Sequence, residues 1–356
     1  MGHDAQVQDP LDEGTPGPTA AFEGGVPVGS LLGSTHKHAR FVVFTITDKE
    51  FPEARTVLER FGKLEEVGET GVYAPEPFTH SSYLPFALAQ SNNLTNHGAG
   101  VSLQRIIRQF RPQHVIVVGT AGGVQRPTAP TRPFTFQGPE RGDVVVSSYV
   151  HYADYGKSTP EGFLMRYIAS EQPAYHLLEH ASNVKKADTW RAHLGPSWAN
   201  ARDAPKVHIE DVLAGDTIQD DPLGEQQQLL MRHFDKVAAI EMESAGVART
   251  LHTLRSSVHY GPTFVTIRGI SDIVYGRHVA APLNRRDIRR LTRGRKDKTT
   301  ERALWSPRAA AAATAFAVAV MERVLTQAQP TQAGHPAIPA YTFDTVDYYS
   351  NGTVPR

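Results

Sequence analysis

Six short stretches hold the side chains that could do chemistry. TIRGISDIV (266–274) is an apolar run that nevertheless carries Arg268, Ser271 and Asp272. AIEMESAGVA (239–248) sets Glu241 and Glu243 around Met242, just where an apolar run gives way to a helical pattern. VVGTAGGV (117–124) leads an apolar run into glycines, past Thr120, Ala121 and Gly122. FTITDKEFPEA (44–54) offers Glu50 beside Asp48 and Glu53, NHGAGVS (96–102) offers His97, and LAGDTIQDD (213–221) contains Ile218.

Each motif has two readings. Small residues after a strand let a ligand touch the backbone, and successive N–H groups can hold an oxygen-rich group. VVGTAGGV is neither GxGxxG nor a Walker loop, so an ordinary strand-to-loop turn is equally consistent. Glu241 and Glu243 either favour a helix N-terminus electrostatically or accept hydrogen bonds from paired ribose hydroxyls, with Met242 as a soft apolar surface beneath a sugar or base. Arg268 and Asp272 are either an ion pair closing a strand or part of a reaction centre.

These groups are useful only if a fold brings them together. RFVVFT (40–45), HVIVVG (114–119), DVVVSS (143–148), KVAAI (236–240) and TFVTIR (263–268) are continuous, β-branched and apolar, as strands covered on both faces are. Between them Ala54, Val57, Leu58 and Phe61 mark one helical stripe, and Leu103, Ile106, Ile107 and Phe110 another. Val247, Leu251 and Leu254 mark a third, and an Ala-rich helix is predicted to start near Pro307, since proline is welcome at the first helical position. The alternation implies an α/β three-layer sandwich, a central mixed β-sheet flanked by helices. In such sheets ligands bind beyond the carboxyl ends of the strands, where the motifs fall.

Residues 1–37 are rich in Gly, Pro and Asp without periodicity and read as a disordered tail, as does 328–356; the body is 38–327. Two stretches look inserted. Residues 125–141 are Pro-rich, and 276–302 hold ten Arg/Lys against three acids. The basic insert reads as a solvated loop, a contact for a substrate phosphate, or a nucleic-acid contact. Over the chain 37 Lys+Arg balance 37 Asp+Glu, which argues against a surface built wholly for nucleic acid or acidic membrane. Absence of cysteine rules out disulfides, thiolate metal sites and Cys nucleophiles. No basic, apolar leader is visible, and the alanine-rich run 309–320 is too short for a bilayer, so a soluble, cytoplasmic protein is expected.

VVGTAGGV, RGDVVVSS, LAGDTIQDD, AIEMESAGVA and TIRGISDIV, in this order and spacing, resemble the nucleoside phosphorylase/nucleosidase superfamily, most closely its 5′-methylthioadenosine/S-adenosylhomocysteine nucleosidase-type hydrolases. The resemblance covers roughly residues 40–325. It implies hydrolysis of the N-ribosidic bond of an adenosine-type nucleoside or nucleotide, without metal or organic cofactor, by a homo-oligomer. Asp272 is then the acid that protonates N7 of the leaving purine, which requires a partly desolvated site. Glu243 accepts the ribose 2′- and 3′-hydroxyls and faces the oxocarbenium-like sugar, and Met242 packs under it. Glu50 becomes the base for the attacking water, assisted by Arg268.

The sequence departs from that pattern in places. His97 stands where many members carry a serine, and Ile218 replaces an aromatic that stacks on the base. Val117 stands where hexameric phosphorylases place a phosphate-binding arginine, and TITDKE replaces their phosphate loop, so phosphate would lack charge-assisted donors. Hydrolysis is therefore expected over phosphorolysis. The competing readings are a phosphorylase, a non-catalytic nucleoside-sensing module, and a nucleic-acid binder acting through 276–302.

Overall fold

A computed structural model of the chain describes residues 37–127, 136–160, 162–195, 198, 204–217, 225–258, 261–275, 286 and 298–327. The strands are β1 (His38–Thr45), β2 (Leu64–Glu66), β3 (Val72–Pro75), β4 (Tyr83–Gln90), β5 (His114–Pro127), β6 (Phe136–Gln137), β7 (Val144–Tyr152), β8 (Gly156–Thr159), β9 (Gly162–Met165), β10 (Val207–Ala214), β11 (Val237–Glu241) and β12 (Thr263–Tyr275). The helices are α1 (Phe51–Leu58), α2 (Thr95–Phe110), α3 (Tyr175–Ala187), α4 (Glu225–His233), α5 (Ser244–Val258) and α6 (Lys298–Gln327).

One mixed sheet runs β11-β10-β7-β12-β5-β1-β4-β3-β2. Its faces are covered separately, as continuous apolar strands require. In β1, Phe41 and Val43 pack with α1, α3 and α6, while Ala39, Val42 and Phe44 pack with α2 and α5. The predicted α/β sandwich with a central mixed sheet is the observed architecture. The far half of β5 pairs antiparallel with β11, so β11, β10, β7, β12 and β5 also close into a ring.

That closure corrects two expectations. VVGTAGGV is not a turn: β5 continues through it to Pro127, and β12 runs past Arg268 and Asp272 to Tyr275. The glycines serve close approach. A Cβ on Gly119 would collide with an Arg268 guanidinium nitrogen, and one on Gly122 would lie 2.7 Å from Val274. The register shifts between Ile270 and Asp272, so Asp272, not Ser271, stands opposite Gly122. Such a bulge re-aims the side chain that follows it.

Other elements differ from the sequence expectation. The last helix begins at Lys298, not near Pro307, which lies inside it. Its early turns are held from outside by Glu301 paired with Arg141 and by Trp305 near Arg141 and Trp198. Helix α6 is long and apolar enough to cross a bilayer, but 78% of its apolar window is buried within the protein. Of the Pro-rich stretch 125–141, residues 125–127 continue β5 and 136–137 pair with them. Both tails, apart from Lys37, and most of 276–302 lie outside the described residues.

Candidate active site

The segment after β1, the middle of β5, the ends of β11 and β12 and the first turns of α6 line a cavity of about 210 Å³. Asp272 and Glu243 both line it, with Glu50, Thr120, Ala121, Gly122, Glu241, Met242 and Ser271. The sequence missed Thr47, Thr217, Ile240, Val274, Arg302 and Ser306, which complete the lining.

Glu50 is 3% exposed. One carboxylate oxygen accepts from the Thr120 N–H at 2.7 Å and its hydroxyl at 2.9 Å, and the other from the Thr47 N–H at 3.0 Å. These bonds tie the end of β1 to β5. The neighbouring acids play no such part: Asp48 accepts from Gln90 at an exposed position, and neither it nor Glu53 lines the cavity.

Glu241 and Glu243 divide the two readings of their motif. Glu241 takes the helix-terminus reading. Its oxygens accept from the Ser244 N–H at 3.1 Å, the Ser244 hydroxyl at 3.0 Å and the Glu243 N–H at 3.1 Å, which caps α5. It also pairs with Arg268. Glu243 makes the looser contact, 3.4 Å from the Arg268 guanidinium, and keeps an edge toward the cavity. Burial raises its pKa to about 8; Arg268 opposes the rise, and the charges of Glu241 and Glu50 add to it.

Arg268 does not reach the cavity. It is fully buried, and its charge persists because Glu241, Glu243 and Glu50 outweigh the desolvation penalty and push its pKa further up. It stands behind the carboxylates, in contact with Glu241 and Glu243. Asp272 is 2% exposed. It accepts from the Ser271 hydroxyl at 2.9 Å and pairs with Arg302 at 3.1 Å. A cation thus stands where the sequence suggested desolvation alone.

His97 falls elsewhere. It lines a separate cavity of about 340 Å³ between α2 and α5, with Asn96, Tyr152, Asp216 and Arg249. Among the described residues, the larger cavity has one carboxylate, Asp216, which already accepts from Tyr152 and from Asn96 at 3.0 Å. Ile218 lies outside the described residues.

Glu243 carries a consequence for stability. An acid at about 8 when folded and about 4.3 when unfolded favours folding fully below pH 4. That contribution falls as pH rises through the window and is gone above about 8. Glu243→Gln has no such loss, so it should stabilise the protein by roughly 2–4 kcal/mol at pH 8.5 relative to its effect at pH 4.5. Urea denaturation at the two pH values measures this; a pH-independent difference would refute the raised acid.

The model of the phosphorylase superfamily matches residues 40–321. Among curated relatives, a 5′-methylthioadenosine/S-adenosylhomocysteine nucleosidase of Exiguobacterium sp. is 29% identical over 174 residues, covering 49% of this chain and 62% of that protein. Among solved structures, the 5′-methylthioadenosine/S-adenosylhomocysteine nucleosidase of Neisseria meningitidis in complex with methylthio-immucillin-A is similar at TM-score 0.53 and 21% identity, covering 80% of this chain and 99% of that one. Futalosine hydrolase of Helicobacter pylori is similar at TM-score 0.53 and 15% identity, covering 80% and 98%. At these identities the structural likenesses show the fold. The chain aligns with less than two thirds of that curated relative's length.

Proposed function

The chain belongs to the phosphorylase superfamily, and on that premise we propose that it hydrolyses the N-ribosidic bond of purine nucleosides or nucleotides. The observation that carries this reading is the convergence of Asp272 and Glu243 on one cavity. Asp272 hands its proton to N7 as the N9–C1′ bond breaks, and the bond's electron pair leaves with the base. Glu243 holds the ribose hydroxyls and, in its ionised form, which burial shifts toward pH 8, offsets positive charge on the sugar. Water adds to C1′ and gives its proton to Glu50, yielding free base and ribose; solvent then returns both acids to their starting states.

Hydrolysis is preferred to phosphorolysis because the sugar end is acidic. Glu50, Glu241 and Glu243 line it, Arg268 is enclosed behind them, and Arg302, the cation in the lining, is paired with Asp272. Among the described residues, a phosphate dianion there would meet three carboxylates and a cation already paired with Asp272. The nucleosidases among the similar proteins are named for adenosine-type substrates, so the test includes adenosine beside the 6-oxopurine nucleosides.

A panel of purine nucleosides and 5′-nucleotides, scored for free base and for the sugar product with and without phosphate, tests the reading. Free ribose without added phosphate is the expected product. Ribose 1-phosphate formed only with phosphate would make the protein a phosphorylase. Binding without any base release would make it a sensing module.

A further inference from the structure

We propose that Arg302 reads the 6-position of the base and selects 6-oxopurine over 6-aminopurine nucleosides. This rests on the nucleosidase reading above and concerns the base end of the same cavity. Arg302 reaches the cavity from the first turns of α6, and its guanidinium lies 3.1 Å from Asp272. Ser306, one turn further along, lines the cavity too. The wall they form is fixed on its outer side: Glu301 is buried against Arg141, the Trp305 ring lies 6.0 Å from the Arg141 guanidinium carbon, and the Trp198 indole donates to the Arg308 carbonyl at 3.3 Å.

The chemistry follows from the edge of a purine. N7 and the 6-substituent lie side by side, so a carboxyl at N7 sets its neighbour beside position 6. Guanine shows two acceptors there, N7 and O6, whereas adenine shows an acceptor and an amino donor. Arginine donates only. A 6-oxopurine therefore meets Asp272 and Arg302 as donor facing acceptor at both atoms, while a 6-amino group would turn N–H toward N–H. The gain extends into bond breaking. A departing 6-oxopurine spreads negative charge onto O6, where a preplaced cation stabilises it. A base that takes over the Arg302 donor also leaves the Asp272 carboxyl free to hold the proton it hands to N7.

The test compares kcat/KM for base release from inosine, guanosine and adenosine by the wild type and by Arg302→Met, which keeps much of the stem but no donor. The wild type is expected to favour the two 6-oxo substrates by about tenfold or more. In Arg302→Met the ratio of 6-oxo to 6-amino kcat/KM should fall to within about threefold of unity, whatever the change in absolute turnover. A wild-type preference for adenosine would overturn the proposal, as would an equal fall on all three substrates, which would make Arg302 a clamp on Asp272. Should the variant fail to fold, the wild-type ratio still decides, together with inhibition by hypoxanthine against adenine. Preference for adenosine leaves the nucleosidase reading standing, whereas silence on every nucleoside would remove both.

Discussion

Asp272→Asn is expected to slow purine release by about 10²–10⁴-fold, the usual contribution of a positioned general acid. The amide preserves volume and can still donate a hydrogen bond to N7, but it has no proton to transfer as the glycosidic bond breaks. The loss should fall on kcat more than on KM, because the missing interaction belongs to the transition state. A riboside whose leaving group needs no protonation, such as a nitrophenyl riboside, separates this role from a fold defect. Its hydrolysis should drop less than about tenfold in the variant, since Glu243 and the water site are untouched. Equal losses on both substrates would remove Asp272 from the acid role. The Asp272–Arg302 pair is buried on its acid side, so unfolding of the variant is measured in parallel.

How much of this was legible in the sequence depends on the kind of interaction. The sheet core could be read because continuous β-branched runs carry their own signal, and β1 and the first halves of β5 and β12 fall where those runs are. The second halves of β5 and β12 could not. Glycines at 119, 122 and 123 look like a turn until one sees that their missing side chains admit Arg268, Val274 and Ile270. Strand β4 was missed although YLPFALAQ is mostly apolar, because its proline and alanines lack β-branched character. The same limit applies to β10, whose VHIEDVLA carries two acids into a paired strand.

The acids were findable by type, but their division of labour was not. Whether Glu241 or Glu243 caps α5 depends on where β11 ends and the helix begins, which the sequence leaves open by a residue or two. The structure commits Glu241 to the helix and to Arg268, and leaves Glu243 the cavity edge. Arg302 had no usable signal. One of ten Arg/Lys spread over residues 276–302 reads as part of the insert's general charge, and the early start of α6, four residues before Arg302, brings it to Asp272. His97 shows the opposite failure: family spacing pointed at a polar contact, yet the residue lines the cavity between α2 and α5.

Removing the buried cation should be the most damaging single change to the fold. Arg268→Met is expected to cost about 3–5 kcal/mol, the usual penalty for breaking a buried ion pair from one side. The guanidinium is wholly enclosed, and Glu241 and Glu243 depend on it while Glu50 feels its charge. Without it, Glu241 must either hold an uncompensated charge or take a proton and weaken its cap on the Ser244 N–H. The deficit should therefore be larger at pH 8 than at pH 5, where protonation relieves the crowded carboxylates. The double variant Arg268→Met with Glu241→Gln removes charge from both sides, and it should recover roughly half of the loss, because a neutral buried pair no longer bears the desolvation cost. Urea unfolding of the wild type, both single variants and the double variant at two pH values gives the coupling directly. A single-variant cost below about 1 kcal/mol, or a double variant that is simply the sum of the singles, would mean that the ion pair does not hold the acids in place. Activity supplies the last discrimination. Arg268 lies behind the cavity lining, so folded Arg268→Met should lose base release through displaced Glu243, with KM for the nucleoside rising as its ribose acceptor moves.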